Sequence, residues 1–164
     1  MVFSSVPFLY VFLPIVLLCY FLVPKRLKNA VLLAASLVFY FYGERAYTLL
    51  LLFSSLSDYL HSLYIEAHRG TGKARAALIS SIAINLGLLG FFKYADFFLT
   101  TVNGLFGLSL PLTGVRLPLG ISFYTFQTMS YTIDVYRGRV AAERNLLTMA
   151  TFVCLFPQLV AGPI

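Results

Sequence analysis

The chain has 164 residues, of which 60% are hydrophobic, 16% aromatic and only 11% charged, where a soluble domain carries about a quarter charged residues. Its net charge of +6 is gathered into short clusters between long uncharged runs, a pattern that fits orientation in a bilayer better than neutralisation of nucleic-acid phosphates. With no P-loop, dinucleotide fingerprint or nucleophile elbow in the sequence, the soluble catalytic classes are excluded.

The uncharged runs are Met1 to Pro24, Asn29 to Gly43, Ala46 to Ser57, Ala76 to Phe92, Phe97 to Val115, Leu117 to Ile133 and Asn145 to Ile164. A spanning helix needs about 20 mostly apolar residues, so the first, fourth and last runs qualify on length. The second is short unless tilted, and the third reaches spanning length only by continuing through Asp58 toward Ile65. The fifth and sixth are long enough but carry Gly and Pro. The predicted fold class is therefore all-α: a polytopic transmembrane helical bundle with re-entrant or broken helices, forming a single membrane domain over residues 1–164.

Basic residues follow the first run (Lys25, Arg26, Lys28), separate the third from the fourth (Arg69, Lys73, Arg75) and follow the sixth (Arg137, Arg139, Arg144). Cytoplasmic loops collect such residues. An outside N-terminus puts all three clusters on one side, provided the Phe97 to Val115 run is re-entrant or interfacial. No basic residue precedes the first apolar stretch, which argues against a cleavable signal peptide. Cys19 and Cys154 fall inside apolar runs and are expected to be two buried structural thiols.

Polar groups at hydrocarbon depth are costly unless they face protein or water, so four places stand out. In LPLGISFYTFQTMSYTIDVYRG, Pro118 and Gly120 disfavour a regular start, after which Gln127, Ser130, Tyr131 and Asp134 share one helix face at i, i+3, i+4 and i+7. Two readings of this stripe stay open: interhelical hydrogen bonds that hold a bundle, or the wall of a hydrated pocket. Asp134 and Arg137 are spaced to pair. In FPQLVAGPI, Pro157 breaks an apolar helix. Asn85, inside an uncharged run, is expected to face another helix, and Lys93 to snorkel. His61 and His68 share a face with Asp58, but their spacing matches no metal motif, and no metal site is predicted.

These segments, together with VFSSVPFLYVFLPIVLLCYFLVP, KRLKNAVLLAASLVFYFYGE and FFKYADFF, resemble the membrane-bound O-acyltransferase family, in its branch of bacterial alginate O-acetyltransferases and D-alanyl transfer proteins. The resemblance covers essentially the whole chain. It implies helices around a tunnel, in the inner (cytoplasmic) membrane, that pass an acyl group, in this branch acetyl, from a thioester donor (acetyl-CoA or an acyl carrier protein) to a hydroxyl acceptor on a cell-surface polysaccharide. No bound cofactor is implied; a periplasmic or extracellular acetyltransferase partner is, besides the lipid bilayer, and nucleic acid is not. The family's essential histidine is expected downstream of Ile164, so this chain reads as an N-terminal portion that does not catalyse alone. Gln127, Ser130, Tyr131 and Asp134, with Gln158, Gly162 and Pro163, are the expected tunnel-lining residues. A transporter or channel subunit, which should show internal repeats, and a non-catalytic membrane scaffold are the alternatives.

Overall fold

The computed structural model describes residues 6–161, and the described residues are helical with no strand. A π-helical turn, Phe8–Phe12, runs directly into α1 (Leu13–Leu22). Pro14 has no N–H to donate, and just upstream the ladder widens, the Leu13 N–H reaching Phe8 O. α1 ends because Val23, preceding Pro24, is held extended at φ −83°, ψ 149°. A 3-10 turn (Lys25–Leu27) leads into α2 (Lys28–Gly43), followed by α3 (Tyr47–Ala67), α4 (Gly72–Phe106), α5 (Ile121–Arg137), α6 (Leu146–Cys154) and α7 (Phe156–Ala161).

Three of the predicted runs are redrawn. The fourth run and the start of the fifth form one 35-residue helix, α4, because Lys93 and Asp96 are tolerated on its exposed side and no proline interrupts it before Pro111. What remains of the fifth run is an irregular segment that starts at Gly107, where φ is +63°. Asp96 Oδ1 accepts from Thr113 N–H at 2.8 Å, and Asn103 exchanges two bonds with Leu110, which folds this segment back along the end of α4. The last run divides into α6 and α7 at Leu155, since Pro157 cannot donate to Val153. The sixth run behaves as predicted: Gly120 is left-handed at φ +74° and α5 starts after it. Among the described residues α4 alone is long and apolar enough to cross a membrane unaided; Phe8–Leu22 and Leu146–Val160 are shorter apolar stretches.

α3, α4 and α5 pack mutually, α6 bridges α2 and α3, α7 touches α2 and α5, and α1 lies on α2. The faces they bury are unusual. On α3 the buried positions include Ser54, Ser55, Asp58 and Ser62, while Leu49 is 74% and Phe53 55% exposed. α4 buries Ala74, Ser81, Asn85 and Leu89 and turns Ile79, Leu86, Phe91, Phe97 and Phe98 outward. The interior thus combines small and polar side chains with large ones such as Leu51, Ile65, Ile121 and Tyr124, while many other large apolar side chains lie outside, unlike the single apolar stripe that a water-soluble helix buries. Purely apolar packing is confined to three clusters, one of them the aromatic group Phe8, Phe39 and Phe156 beside Val16. Cys154 is buried as expected, but Cys19 is exposed, because it borders an open groove between α1 and α2.

The three basic clusters lie at one end. Arg69 donates to Val135 O at 2.9 Å, Tyr59 to Arg144 O at 2.8 Å, and Asn29, beside Lys28, to Thr148 Oγ1 at 3.4 Å. Arg45 and Arg116 follow from the helix directions as lying toward the opposite end, and Lys93 stands 18 residues along α4 from Arg75, the last residue of the cluster at Arg69 to Arg75.

Candidate functional site

α5 has two polar faces with different roles. Thr125, Thr128 and Thr132 point inward and are fully buried. Thr132 turns its hydroxyl back on its own helix, to Thr128 O, whereas the Thr128 hydroxyl lies within reach of both Thr125 O and Asn85 Oδ1 of α4. The outer face carries the stripe singled out from the sequence. Gln127, Ser130, Tyr131 and Asp134 together line one groove of about 540 Å³, whose remaining walls are Phe123, Phe126, Val140 and Phe152.

The stripe makes few bonds to other helices. Gln127 Nε2 donates to the Phe152 carbonyl of α6 at 3.0 Å, and the Tyr131 ring lies 6.3 Å from that of Phe152. Asp134 pairs with Arg139 at 3.5 Å and not with Arg137; the chain turns at Gly138 (φ +74°) and brings residue 139 back over the helix end. Ser130 is exposed to the groove. The stripe thus both lines the groove and, through Gln127 and Tyr131, holds α6 and the segment before it.

One end of the groove is closed by residues 138–145, which have no regular structure but are fixed at several points. Ala142 N–H donates to Glu66 Oε1 at 2.9 Å and Glu143 N–H to Tyr131 Oη at 2.7 Å; Arg144 stands 3.8 Å from Glu66. Removing the phenolic oxygen with Tyr131→Phe is expected to cost about 1 kcal/mol. Hydrogen exchange should show it as faster exchange at the Glu143 amide with α5 itself unchanged.

The other expected residues lie elsewhere. Gln158 is half-buried on α7 and is not among the groove-lining residues; its N–H bonds Leu155 O. Gly162 and Pro163 fall outside the described residues. Lys93 is exposed, its ammonium 5.5 Å from the Tyr94 ring. The histidines do not converge. His61 Nδ1 contacts Ser57 O at 2.7 Å and its Nε2 Ser80 Oγ at 3.3 Å, whereas His68 stacks on Tyr64.

A second polar centre was only half visible in the sequence. Asp58 does not join the histidines but faces α4, where its Oδ1 accepts from Ser81 Oγ and Asn85 Nδ2, both at 2.8 Å. Asn85 Oδ1 in turn accepts from Ser54 and, across α5, from Thr128. Asn85 thus meets two other helices, as expected for a buried amide. The seam of Ser54, Asp58 and Ser62, each four residues apart, is the signal that could have located this centre. Asp58 Oδ2 is buried without a hydrogen-bond partner among the described residues.

Chemically, the groove offers a long apolar surface with one amide, one hydroxyl, one phenol and one carboxylate along one edge. It can hold and orient an apolar or acyl-bearing molecule. Among the described residues no group of three or more His, Cys, Asp or Glu side chains is placed to hold a metal, and no histidine reaches the groove.

The chain matches no family model and no solved structure. It is 44% identical over its whole length to a probable alginate O-acetylase AlgI of Pseudomonas putida, covering 35% of that protein, and 43% identical to the protein of the same name in Pseudomonas aeruginosa, covering 32%. It is also 34% identical, again along its full length, to a peptidoglycan O-acetyltransferase of Helicobacter pylori, of which it covers 37%. The chain spans about a third of the length of the curated relatives it matches.

Proposed function

Because the chain is homologous along its whole length to part of proteins named as O-acetyltransferases, we propose that it is the membrane-embedded portion of an O-acyltransferase that moves an acetyl group from a thioester donor to a hydroxyl of a cell-surface polysaccharide. The observation that carries the reading beyond kinship is the α5 groove, where four polar side chains predicted as tunnel wall line one apolar trough. Acyl transfer needs a channel that holds the acyl group and keeps water away, and a phenyl-walled groove with a polar edge suits that task. In this proposal Gln127 and Tyr131 position the passing group, while the base that activates the acceptor belongs to the length of protein outside this chain.

Embedding in the membrane is supported by Asp58 and Asn85 buried inside the bundle while large apolar side chains such as Leu49, Phe53, Phe97 and Phe98 lie outside. The gathering of the basic clusters at one end supports a cytoplasmic position for that end, hence a multi-pass arrangement in the inner membrane. Acetyl-CoA or an acyl carrier protein as donor, and a periplasmic or extracellular acetyltransferase as partner, complete the proposal.

The test is substitution in the protein produced by its own host. Gln127→Ala with Asp134→Ala is expected to lower polysaccharide O-acetylation about tenfold or more, since misplacing a bound group by a small distance has effects of that order, at unchanged protein level in the membrane. Acetylation equal to that of the parent would remove the groove from the mechanism.

A further inference from the structure

The hairpin formed by α1, the turn after it and α2 has a head and a tail that share no residue with the α5 groove. At the closed end, Lys25, Arg26 and Lys28 fall within four positions, and the first acidic residue of the chain is Glu44. None of the three forms an ion pair among the described residues. Lys25 and Arg26 are exposed. The Lys28 ammonium is drawn back over α1, 4.5 Å from the centre of the Tyr20 ring and 5.9 Å from that of Phe21, a geometry that fixes a cation at the mouth of the hairpin.

Below that mouth, the two helices leave a groove of about 520 Å³ lined by Phe12, Ile15 and Cys19 of one and Val31, Ala34 and Val38 of the other. Cys19 adjoins Tyr20 in sequence, and Val31 lies one helical turn from Lys28, so the groove opens directly under the cations. From Cys19 it runs down to Pro7, 12 residues or about 18 Å at the helical rise. One leaflet of hydrocarbon is about 15 Å deep. A protein helix seated here would leave three cations unmatched unless it also brought acids. A molecule with an anionic head and a long apolar tail satisfies both ends.

We propose that this hairpin binds an anionic diacyl phospholipid, its phosphate held by Lys25, Arg26 and Lys28 and one acyl chain lying between α1 and α2. The inference rests on the membrane reading above but not on the acyl-transfer groove, from which the site is separate. Basic residues at a membrane surface attract anionic lipid cumulatively, so the site should prefer phosphatidylglycerol to phosphatidylcholine of the same chains by about tenfold or more.

Native mass spectrometry of the detergent-purified chain, titrated with each lipid, reads this directly. The expected result is one tightly retained phosphatidylglycerol, a preference abolished in the Lys25→Gln, Arg26→Gln, Lys28→Gln triple variant, and weaker retention of both lipids when Ala34→Phe fills the groove. Ile15→Phe provides a second groove variant should the first lose helix content by circular dichroism. Equal retention of the two lipids, a preference that survives the triple variant, or a groove already occupied by a second copy of the chain would overturn the proposal. Flotation of host membranes separates the two readings: a chain that does not float with lipid sinks both, while one that floats but shows no phosphatidylglycerol preference sinks only this one.

Discussion

Asn85→Leu is expected to destabilise the chain by about 2 to 4 kcal/mol, the cost of leaving several buried polar groups without partners. Asn85 is 2% exposed and stands where α3, α4 and α5 meet. Its amide nitrogen serves Asp58 Oδ1 at 2.8 Å and Ser81 O at 3.0 Å, and its oxygen receives the hydroxyls of Ser54 and Thr128. Leucine fills the space but answers none of them. Buried between three helices, the abandoned groups have no water to turn to. The informative comparison is the double variant Asp58→Leu, Asn85→Leu, which removes both sides of the shortest bond. Replacing both partners by apolar groups is far less costly than removing one, so the double change should cost clearly less than the sum of the single ones. A cycle of unfolding measurements in detergent checks this; strict additivity would mean that Asp58 and Asn85 are neighbours without being coupled.

The second large effect is expected at the junction of α5 and α7. Gly120 has φ +74°, and a Cβ placed there would stand 2.7 Å from the Leu159 carbonyl oxygen and 3.3 Å from its Cδ2. The first of these atoms is backbone and cannot rotate away. Gly120→Ala should therefore combine about 1 to 2 kcal/mol of left-handed strain with the cost of pushing α7 off the start of α5, some 1 to 3 kcal/mol for an overpacked contact. Gly107→Ala is the control, since its φ of +63° is comparable but open space surrounds it, and it should show the strain alone. Thermal unfolding of the two variants side by side would test this, and an equal loss in both would mean that α7 yields freely.

Both sites are places where the sequence hinted at a constraint without naming its partner. Pro118 and Gly120 announced an irregular start to α5, and Pro157 a break in the last apolar run. That the two irregularities touch, through Gly120 and Leu159, is a contact between residues almost 40 positions apart, and no local pattern encodes it. The same holds for Asp58. Its spacing to His61 and His68 is real, and both histidines do lie on α3 or just after it. A helix face, however, is wide enough to direct Asp58 toward α4 and His61 toward Ser80, and only the packing of α4 selects between them. Asp134 is a smaller instance, with Arg137 at the right helical spacing but Arg139 returned to it by the turn at Gly138.

What the sequence by itself determined was the apolar character of its long runs, the element type and the kinship. Long uncharged runs require helices, because only a helix satisfies its own backbone away from water; prolines and glycines then fix where those helices stop, and 44% identity along the whole chain assigns the relatives. Tertiary structure decided which side of each helix is inside. In a water-soluble protein, hydrophobicity alone would have indicated this, but here the outside is as apolar as any core. The burial of Ser54, Asp58, Ser81 and Asn85, and the exposure of the Gln127 to Asp134 stripe in a groove, are set by small residues allowing close approach and polar groups finding one another across helices. Those pairings are long-range, so they appear only once the helices are assembled.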